Sequence, residues 1–292
     1  MIKRQPITIK EVAEKAGVSQ MTVSRVLNKQ KLVKESTRQK VEAAISALNY
    51  RPNLMARGLA GGRSKRSGLA YYNPGPGYLS ALLVSALKQC RDLGHHLVIE
   101  DLADMEEGPL DTSAIAKRLS TIRLDGLILT PPLSSNQTLI DLIHQIGLPT
   151  VLLGSDMAAK GQSTVVFDDT TAAYDMTKCL VGEGHVRIGL VQGPAEHPSS
   201  GQRSAGYRKA LQDAGIKADD ELIVRGDFTF RSGMRAADRL LDLAQPPTAI
   251  FASNDDMAAG VIAAAQRRSV QVPGELSVVG FDDTALAAAL WP

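Results

Sequence analysis

The tightest constraint on this chain is the spacing of helix starts and stops in its first fifty residues. In "TIKEVAEKAGVSQMTVSRVLN", Thr8 is followed three residues later by Glu11, a pair that satisfies two amide groups of a helix start reciprocally. Val12, Ala13 and Ala16 fall on one face of that helix, and Gly17 stands where a left-handed residue ends it. Ser19 is a strong cap for a second helix over about Gln20 to Asn28, whose Val23, Val26 and Leu27 form an apolar stripe. Helices this short, joined by a glycine turn, make a helix-turn-helix and must bury their stripes against each other and a third element. The third is predicted over about Glu35 to Leu48, with Val41, Ala44, Ile45 and Leu48 at i, i+3, i+4 and i+7.

The outer face of the second helix carries Gln20, Met21, Thr22, Ser24 and Arg25, where an ordinary surface helix has Glu and Lys. Residues 1–66 hold 15 Lys and Arg against 4 Asp and Glu, a balance of +11, whereas residues 67–292 carry 18 against 27, a balance of −9. The net charge of +2 conceals a basic head on an acidic body, which points to a polyanionic partner for the head alone. A plain three-helix bundle with a solvated basic face is the bland alternative. The second helix of a helix-turn-helix fits the major groove of duplex DNA with its N-terminal residues at base edges. There Arg25 can bridge guanine O6 and N7, Gln20 can pair with adenine, and Met21 can pack on a thymine methyl. Ser19, Thr22, Ser24 and Asn28 suit phosphate oxygens, which fix register without reading sequence.

In "NYRPNLMARGLAGGRSKRSG", Pro52 holds Arg51 extended and ends the third helix. Asn53 can cap a very short helix that Gly61 and Gly62 terminate. A helix of about two turns is marginal alone, so this segment is expected to order only when something packs on it. Leu59 on it is a candidate apolar wedge between base steps of the minor groove.

From Ser67 onward, apolar runs at 68–72, 96–100, 126–130, 150–154, 187–191, 248–252 and 277–281 alternate with helical stretches. One of these, "YLSALLVSALKQCRDLG", gathers Leu79, Leu82, Leu83, Ala86, Leu87 and Cys90 on one face. Such alternation predicts parallel sheets covered by helices on both sides, here two of them divided near "FDDT" at 167–170. Ligands of open α/β sheets bind beyond the carboxyl ends of the strands, where Asn73, Asn254, Asp255, Asp282 and Asp283 fall. Asn and Asp also cap helices at such positions, so the ligand reading rests on several converging in one crevice.

No apolar run approaches the ~18 residues of a membrane span, and the N-terminus lacks the apolar core of a signal peptide. A cytoplasmic chain without membrane contact is expected. Cys90 and Cys179 fit no metal or redox spacing and read as buried thiols. There is no Gly-x-Gly-x-x-Gly after a strand, no Gly-x-Ser-x-Gly and no phosphate-binding loop, so neither an enzyme nor a cofactor or metal is expected. His95 and His96 read as satisfying backbone groups and His185 as a helix-end residue.

Residues 8–62, "TIKEVAEKAGVSQMTVSRVLN…VKESTRQKVEAAISALNYRPNLMARGLAGG", resemble the DNA-binding head and hinge helix of the LacI/GalR family of bacterial transcription regulators. The resemblance implies an α-helical helix-turn-helix head (1–50), a hinge helix and linker (51–66), and an α/β effector-binding and dimerisation body (67–292). The body would comprise two interleaved, doubly wound parallel-sheet subdomains of the periplasmic-binding-protein type, about 67–167 and 168–292. The second is expected to be incomplete, because the family's chains continue past "FDDTALAAALWP". A homodimer on a pseudo-palindromic operator in double-stranded DNA is implied, with the hinge helices in the central minor groove and Leu59 intercalating. Carried over position by position, Gln20, Met21 and Arg25 read bases, Asn53 starts the hinge, and Ala56 and Arg57 lie on it. Lys10, Thr37 and Tyr50 join the expected DNA-contacting set. Lys34 departs from the Ser or Thr cap common at the third helix. In the body the resemblance assigns Arg203, Phe228, Asn254, Asp282 and Asn73 to a sugar-like effector, with Phe228 as an aromatic platform. Gly154 replaces a residue that is often polar, and "YYNPGPGY" is atypical.

The expected function is that of a sequence-specific repressor whose operator affinity is set by a small sugar-like effector. The alternatives are a sugar-binding protein with a non-functional head and a truncated, inactive regulator. Replacing Arg25 by alanine is predicted to cost about 1–3 kcal/mol of DNA binding and to relax specificity at one base pair. Titrations against single-base variants of the site check this, and equal weakening on every sequence would refute a base-reading role.

Overall fold

A computed structural model describes residues 7–27, 33–50, 65–72, 75–102, 111–155 and 162–290. The chain divides into two units, residues 1–64 and 65–292. In the first, α1 (Ile9–Ala16) begins with the expected box: the Thr8 hydroxyl accepts from the Glu11 amide at 3.5 Å, and the Glu11 carboxylate accepts from the Thr8 amide at 2.7 Å. Gly17, at φ 65°, closes it in the left-handed region that favours glycine. The Ser19 hydroxyl accepts from the Thr22 amide at 3.2 Å and so caps α2 (Gln20–Leu27). Helix α3 (Glu35–Leu48) starts at Lys34 without a side-chain cap and ends at left-handed Asn49. Val12, Val23 and Val41, one from each helix, are fully buried at the centre, with Ala13, Val26 and Ala44 around them.

The second unit contains two parallel sheets. Strands β1 (Arg66–Tyr71), β2 (His96–Asp101), β3 (Gly126–Leu129), β4 (Thr150–Leu153) and β5 (Ser163–Val165) lie in the order β2-β1-β3-β4-β5. Strands β6 (Ile188–Gln192), β7 (Ile223–Arg225), β8 (Ala249–Ala252) and β9 (Ser277–Val279) lie in the order β7-β6-β8-β9. Every pairing is parallel. The seven apolar runs of the sequence each overlap a strand. β5 and β7, each a three-residue edge strand, were not expected.

Helices α4 (Pro76–Asp92), α5 (Thr112–Thr121) and α6 (Gln137–Ile146) accompany the first sheet. Ile115 and Leu119 of α5 and Leu139, Ile140 and Ile143 of α6 enclose Ala70, Leu127, Leu129 and Leu152 of the strands. Helix α4 departs from expectation. No described residue in it is fully buried, and Leu87, placed on the inner face by spacing, is 59% exposed beside Val84 at 68%. The helix lies against β2, an edge strand, so its stripe outruns the sheet surface available to cover it.

The second sheet is flanked by α7 (Asp169–Gly182), α8 (Pro198–Asp213), α9 (Phe230–Leu241) and α10 (Asp255–Arg267), and α11 (Ala285–Ala289) follows β9. Period-two alternation sorts its residues between two cores. Ile188, Leu190, Ala249 and Phe251 meet Ala173 and Leu180 of α7 and Tyr207 and Leu211 of α8. Val191, Ile250 and Ala252 meet Ala236 and Leu240 of α9 and Val261 and Ala264 of α10. The buried strands are apolar on both faces because helices cover both.

Two expectations about single residues are corrected. Cys90 is half-buried and Cys179 exposed, because α7 turns Cys179 away from the Ala173–Leu180 face. His95 pairs through Nδ1 with the Ser67 hydroxyl at 3.1 Å, a side chain rather than the backbone, and His96 is exposed. His185, just beyond α7, ties together the starts of β8 and β9 through Thr248 at 2.8 Å and Ser277 at 3.0 Å. Among the described residues there is no cluster of metal-ligating side chains and no helix long and apolar enough to cross a membrane.

Helices α9 and α10 touch backbone to backbone. A Cβ on Gly260 would meet the Phe230 carbonyl and lie 2.8 Å from the Met234 nitrogen, and one on Gly233 would lie 2.6 Å from Met257 Cα. Gly260→Ala should therefore lower stability by about 1–3 kcal/mol, read as a reduced urea midpoint. An unchanged midpoint would contradict this close approach.

Candidate functional site

At the carboxyl ends of the two sheets lies a cavity of about 590 Å³. The chain beyond every strand except β2 contributes to it: Gly75 and Tyr78 follow β1, Pro131 follows β3, Gly154 follows β4 and Val166 follows β5. On the other side His197, Phe228, Asn254 and Asp282 follow β6, β7, β8 and β9. Crevices beyond strand carboxyl ends are where open α/β sheets bind ligands. Four of the five residues that the resemblance assigned to an effector, Arg203, Phe228, Asn254 and Asp282, line this one cavity, whereas the strand-end candidates Asp255 and Asp283 do not, and Asp255 accepts from the Thr284 amide and hydroxyl instead. Asn73 lies outside the described residues.

Arg203, in the second turn of α8, is buried at the cavity floor. Its Nε donates to Asp169 Oδ1 at 2.7 Å, Nη1 donates to the Ser253 carbonyl, and Nη2 lies 3.6 Å from Asp282 Oδ1. The guanidinium also sits 3.6 Å from the centroid of the Phe281 ring. Asp169 was missed in the sequence, where "FDDT" read only as a division between halves. Its neighbour Asp168 does the capping, accepting from the Thr171 amide at 2.9 Å, which frees Asp169 for Arg203. Asn254 spends both ends of its amide: Oδ1 accepts from the Met257 amide at 2.9 Å and Nδ2 donates to the Phe228 carbonyl at 3.0 Å. Capping and lining thus coincide in one residue. Phe228 stands at φ 64° with its ring edge-on to His197 at 5.2 Å. A Cβ on Gly193 would overlap that ring and come within 2.5 Å of the Ser200 hydroxyl, so glycine makes room for the Phe228 ring. Asp282, at φ 96°, is also left-handed, and such strained backbone concentrates at ligand clamps.

The electrostatics follow from this crowding. The backbone of Asp282 is open to solvent, but its side chain is only 20% exposed. Desolvation raises its carboxyl to about 6; Arg203 opposes this, while Asp255, Asp169 and Asp256 reinforce it. Burial lowers His197 and raises the Tyr78 phenol, with the Asp282 and Asp169 charges adding to the latter. Arg203 is the only cationic side chain among the described lining residues, and two carboxylates face it.

In the first unit, Gln20, Met21 and Arg25 project outward from α2, with Met21 63% exposed. Ser19 and Thr22 share a hydroxyl contact at 2.9 Å, and Ser24 is half-buried. Lys10 is exposed and 4.0 Å from Glu14, Thr37 lies in the first turn of α3, and Tyr50 packs on the three-helix core. Asn28, Asn53, Ala56, Arg57 and Leu59 lie outside the described residues.

Comparison with known proteins agrees with both halves. Residues 8–53 match the model of bacterial regulatory proteins of the lacI family, and residues 177–292 match a periplasmic binding protein-like domain. Catabolite control protein A of Priestia megaterium is 34% identical over 98% of this chain and 85% of its own. The chain belongs to the LacI family of bacterial regulatory proteins. A structure of the Lac repressor dimer bound to operator and the anti-inducer ONPF matches with a TM-score of 0.80 and 32% identity, over 96% of this chain and 84% of that one. A complex of the transcriptional regulator CelR with cellobiose matches with a TM-score of 0.69 and 28% identity, over the same shares. This LacI-family chain is accordingly a DNA-binding transcriptional regulator with an effector-binding body, and the family's members are regulators rather than enzymes.

The raised carboxyl of Asp282 has a definite sign. Its contribution to stability is fully present below 3.8 and is lost as pH rises through about 6, since the folded state holds the proton more tightly. Relative to the native chain, Asp282→Asn should therefore gain stability between those limits and hold a constant difference above them. Urea midpoints of the two proteins across this range test it, and a difference independent of pH would contradict the burial of this carboxyl.

Proposed function

We propose that this regulator is a homodimeric repressor of a pseudo-palindromic operator, released or strengthened by an uncharged, polyhydroxylated effector in the cavity between its two sheets. The observation that carries the reading is the convergence of Arg203, Phe228, Asn254 and Asp282 on one wall. Asn, Asp and Arg groups around an aromatic ring can donate to and accept from hydroxyls, and an analogue lacking one hydroxyl would leave a buried group unpaired. Arg203 already faces Asp169 and Asp282, so an anionic ligand would meet carboxylates and an offset cation. A hydroxylated neutral molecule fits that balance.

In this reading residues 1–50 are the DNA-binding head, 51–66 the hinge and 67–292 the effector and dimerisation body. Gln20, Met21 and Arg25 read bases, and Lys10, Ser19, Thr22, Ser24, Asn28, Thr37 and Tyr50 approach the backbone. Asn53, Ala56, Arg57 and Leu59 act on the hinge, with Leu59 as the wedge. Asn73 completes the effector set. The exposed Val84 and Leu87 of α4 supply apolar surface for a second copy. The effector favours one closure of the two sheets, and closure sets whether paired hinge helices pack. The protein works in the cytoplasm, where its DNA is.

The competing reading, a sugar-binding protein with an inactive head, predicts that charge-neutral substitutions in residues 1–66 change nothing measurable. Selecting duplexes from a random library with the full chain, then titrating them against salt, separates the two. A palindrome bound ~10³-fold or more above random duplex is expected. Weak, salt-steep binding without sequence preference would overturn the repressor assignment.

A further inference from the structure

Two features of the sequence are left over from the effector assignment: the atypical turn "YYNPGPGY", and Asp255, which falls beyond a strand end yet does not line the cavity. The structure brings them to one place. Gly75 and Gly77 flank the start of α4 on the first-sheet side. A Cβ on Gly75 would lie 3.4 Å from Asn254 Nδ2, and one on Gly77 would lie 3.0 Å from Thr284 Cγ2. Asn254 and Thr284 follow β8 and β9 of the second sheet. The first turn of α4 thus rests on loops of the other sheet.

Neither glycine is demanded by its backbone. Gly75 stands at φ −56° and Gly77 is helical, conformations that any residue adopts. A glycine within a helix costs about 1 kcal/mol against alanine, and what Gly77 gives in return is room for Thr284. Thr284 is itself held. It stands at the N-cap of α11 but makes no capping bond; its amide and hydroxyl both donate to Asp255 Oδ2, at 2.7 and 2.9 Å. The two residues before it, Asp282 and Asp283, are left-handed at φ 96° and 50°, a backbone that persists only where its surroundings fix it. Asp255 is buried and begins α10, next to Asn254. The start of α10 therefore bears both contacts, and through Asn254 it also bears part of the cavity wall.

We infer that the glycine turn of α4 is a seat on which the two sheets close, held at Asn254 directly and at Thr284 through Asp255, and that an occupant of the cavity acts by biasing whether the turn is seated. This goes beyond the effector assignment by locating the joint that moves, and its link to DNA rests on the repressor reading above. Packed contacts of this kind have discrete arrangements, so a small shift at Asn254 is enough to favour one.

Gly77→Cys with Thr284→Cys places two Cβ atoms about 3.4 Å apart, close to the ~3.5–4.5 Å span of disulfides. Mild oxidation of the full chain should form this bond in most molecules, as identified by peptide mapping. Gly77→Ala should do the reverse and hold the turn off its seat. Adding Thr284→Ser, which removes Cγ2 but keeps the hydroxyl for Asp255, should restore it. On the duplex selected with the native chain, the cross-linked and Gly77→Ala proteins should differ ~5-fold or more in affinity, with the native chain between them. Gly77→Ala/Thr284→Ser should return to the native value. Failure of the 77–284 bond to form would overturn the seat. A bond that forms while all four proteins bind the duplex equally would overturn its part in regulation and leave the repressor reading standing. If the native chain selects no duplex, the repressor reading falls and takes the regulatory role with it, while the cross-link alone decides whether the seat exists.

Discussion

The buried guanidinium of Arg203 is the interaction on which the cavity depends. A cation withdrawn from water is tolerable only if paired and fully hydrogen-bonded. Here that requirement draws together three parts of the chain: Asp169 at the start of α7, the Ser253 carbonyl at the end of β8, and Asp282 after β9. Phe281 closes the guanidinium's face. The strand ends of the second sheet are thereby held in register beyond their last ladder bonds, and Asn254 and Phe228 are fixed beside them by a single amide. The same crowding leaves Asp282 short of solvent with other carboxylates nearby, which raises its carboxyl to about 6 despite the neighbouring cation.

The head was legible almost residue by residue because its determinants are local. The Thr8–Glu11 box, left-handed Gly17 and the Ser19 cap act within three or four positions of themselves. The seven expected strands were legible for a similar reason, since each lies in an apolar run between polar stretches. β5 and β7 were not: Ser-Thr-Val holds one apolar residue and Ile-Val-Arg ends on a charge, so neither shows as an apolar run. The burial of α4 was also misjudged: periodicity in its leucines says which residues share a face, not how much sheet lies beneath it.

The candidate site divides along the same line. Arg203, Asn254, Asp282 and Phe228 were reached through family resemblance and strand-end logic, and the cavity gathers them. Asp169 escaped notice because its neighbour Asp168 looks equally suited to pair or cap, and only the tertiary position of Arg203 separates their tasks. Gly154 appeared in the sequence as a missing polar group. In the structure it stands at φ 60°, and a Cβ there would lie 2.9 Å from Pro131 Cγ, so this part of the lining is bare backbone. Gly193, which makes room for Phe228, could not be found from sequence at all, since its role is an approach between segments far apart in the chain.

A ligand in a cavity of the body can govern DNA binding by the head only through a coupling free energy, and such coupling is reciprocal. The decisive measurement is a pair of titrations on the full chain: the cavity ligand's affinity with and without saturating selected duplex, and the duplex's affinity with and without saturating ligand. The account predicts that both change by the same factor, roughly 5- to 150-fold. A ligand that binds equally well whether or not DNA is present would contradict it.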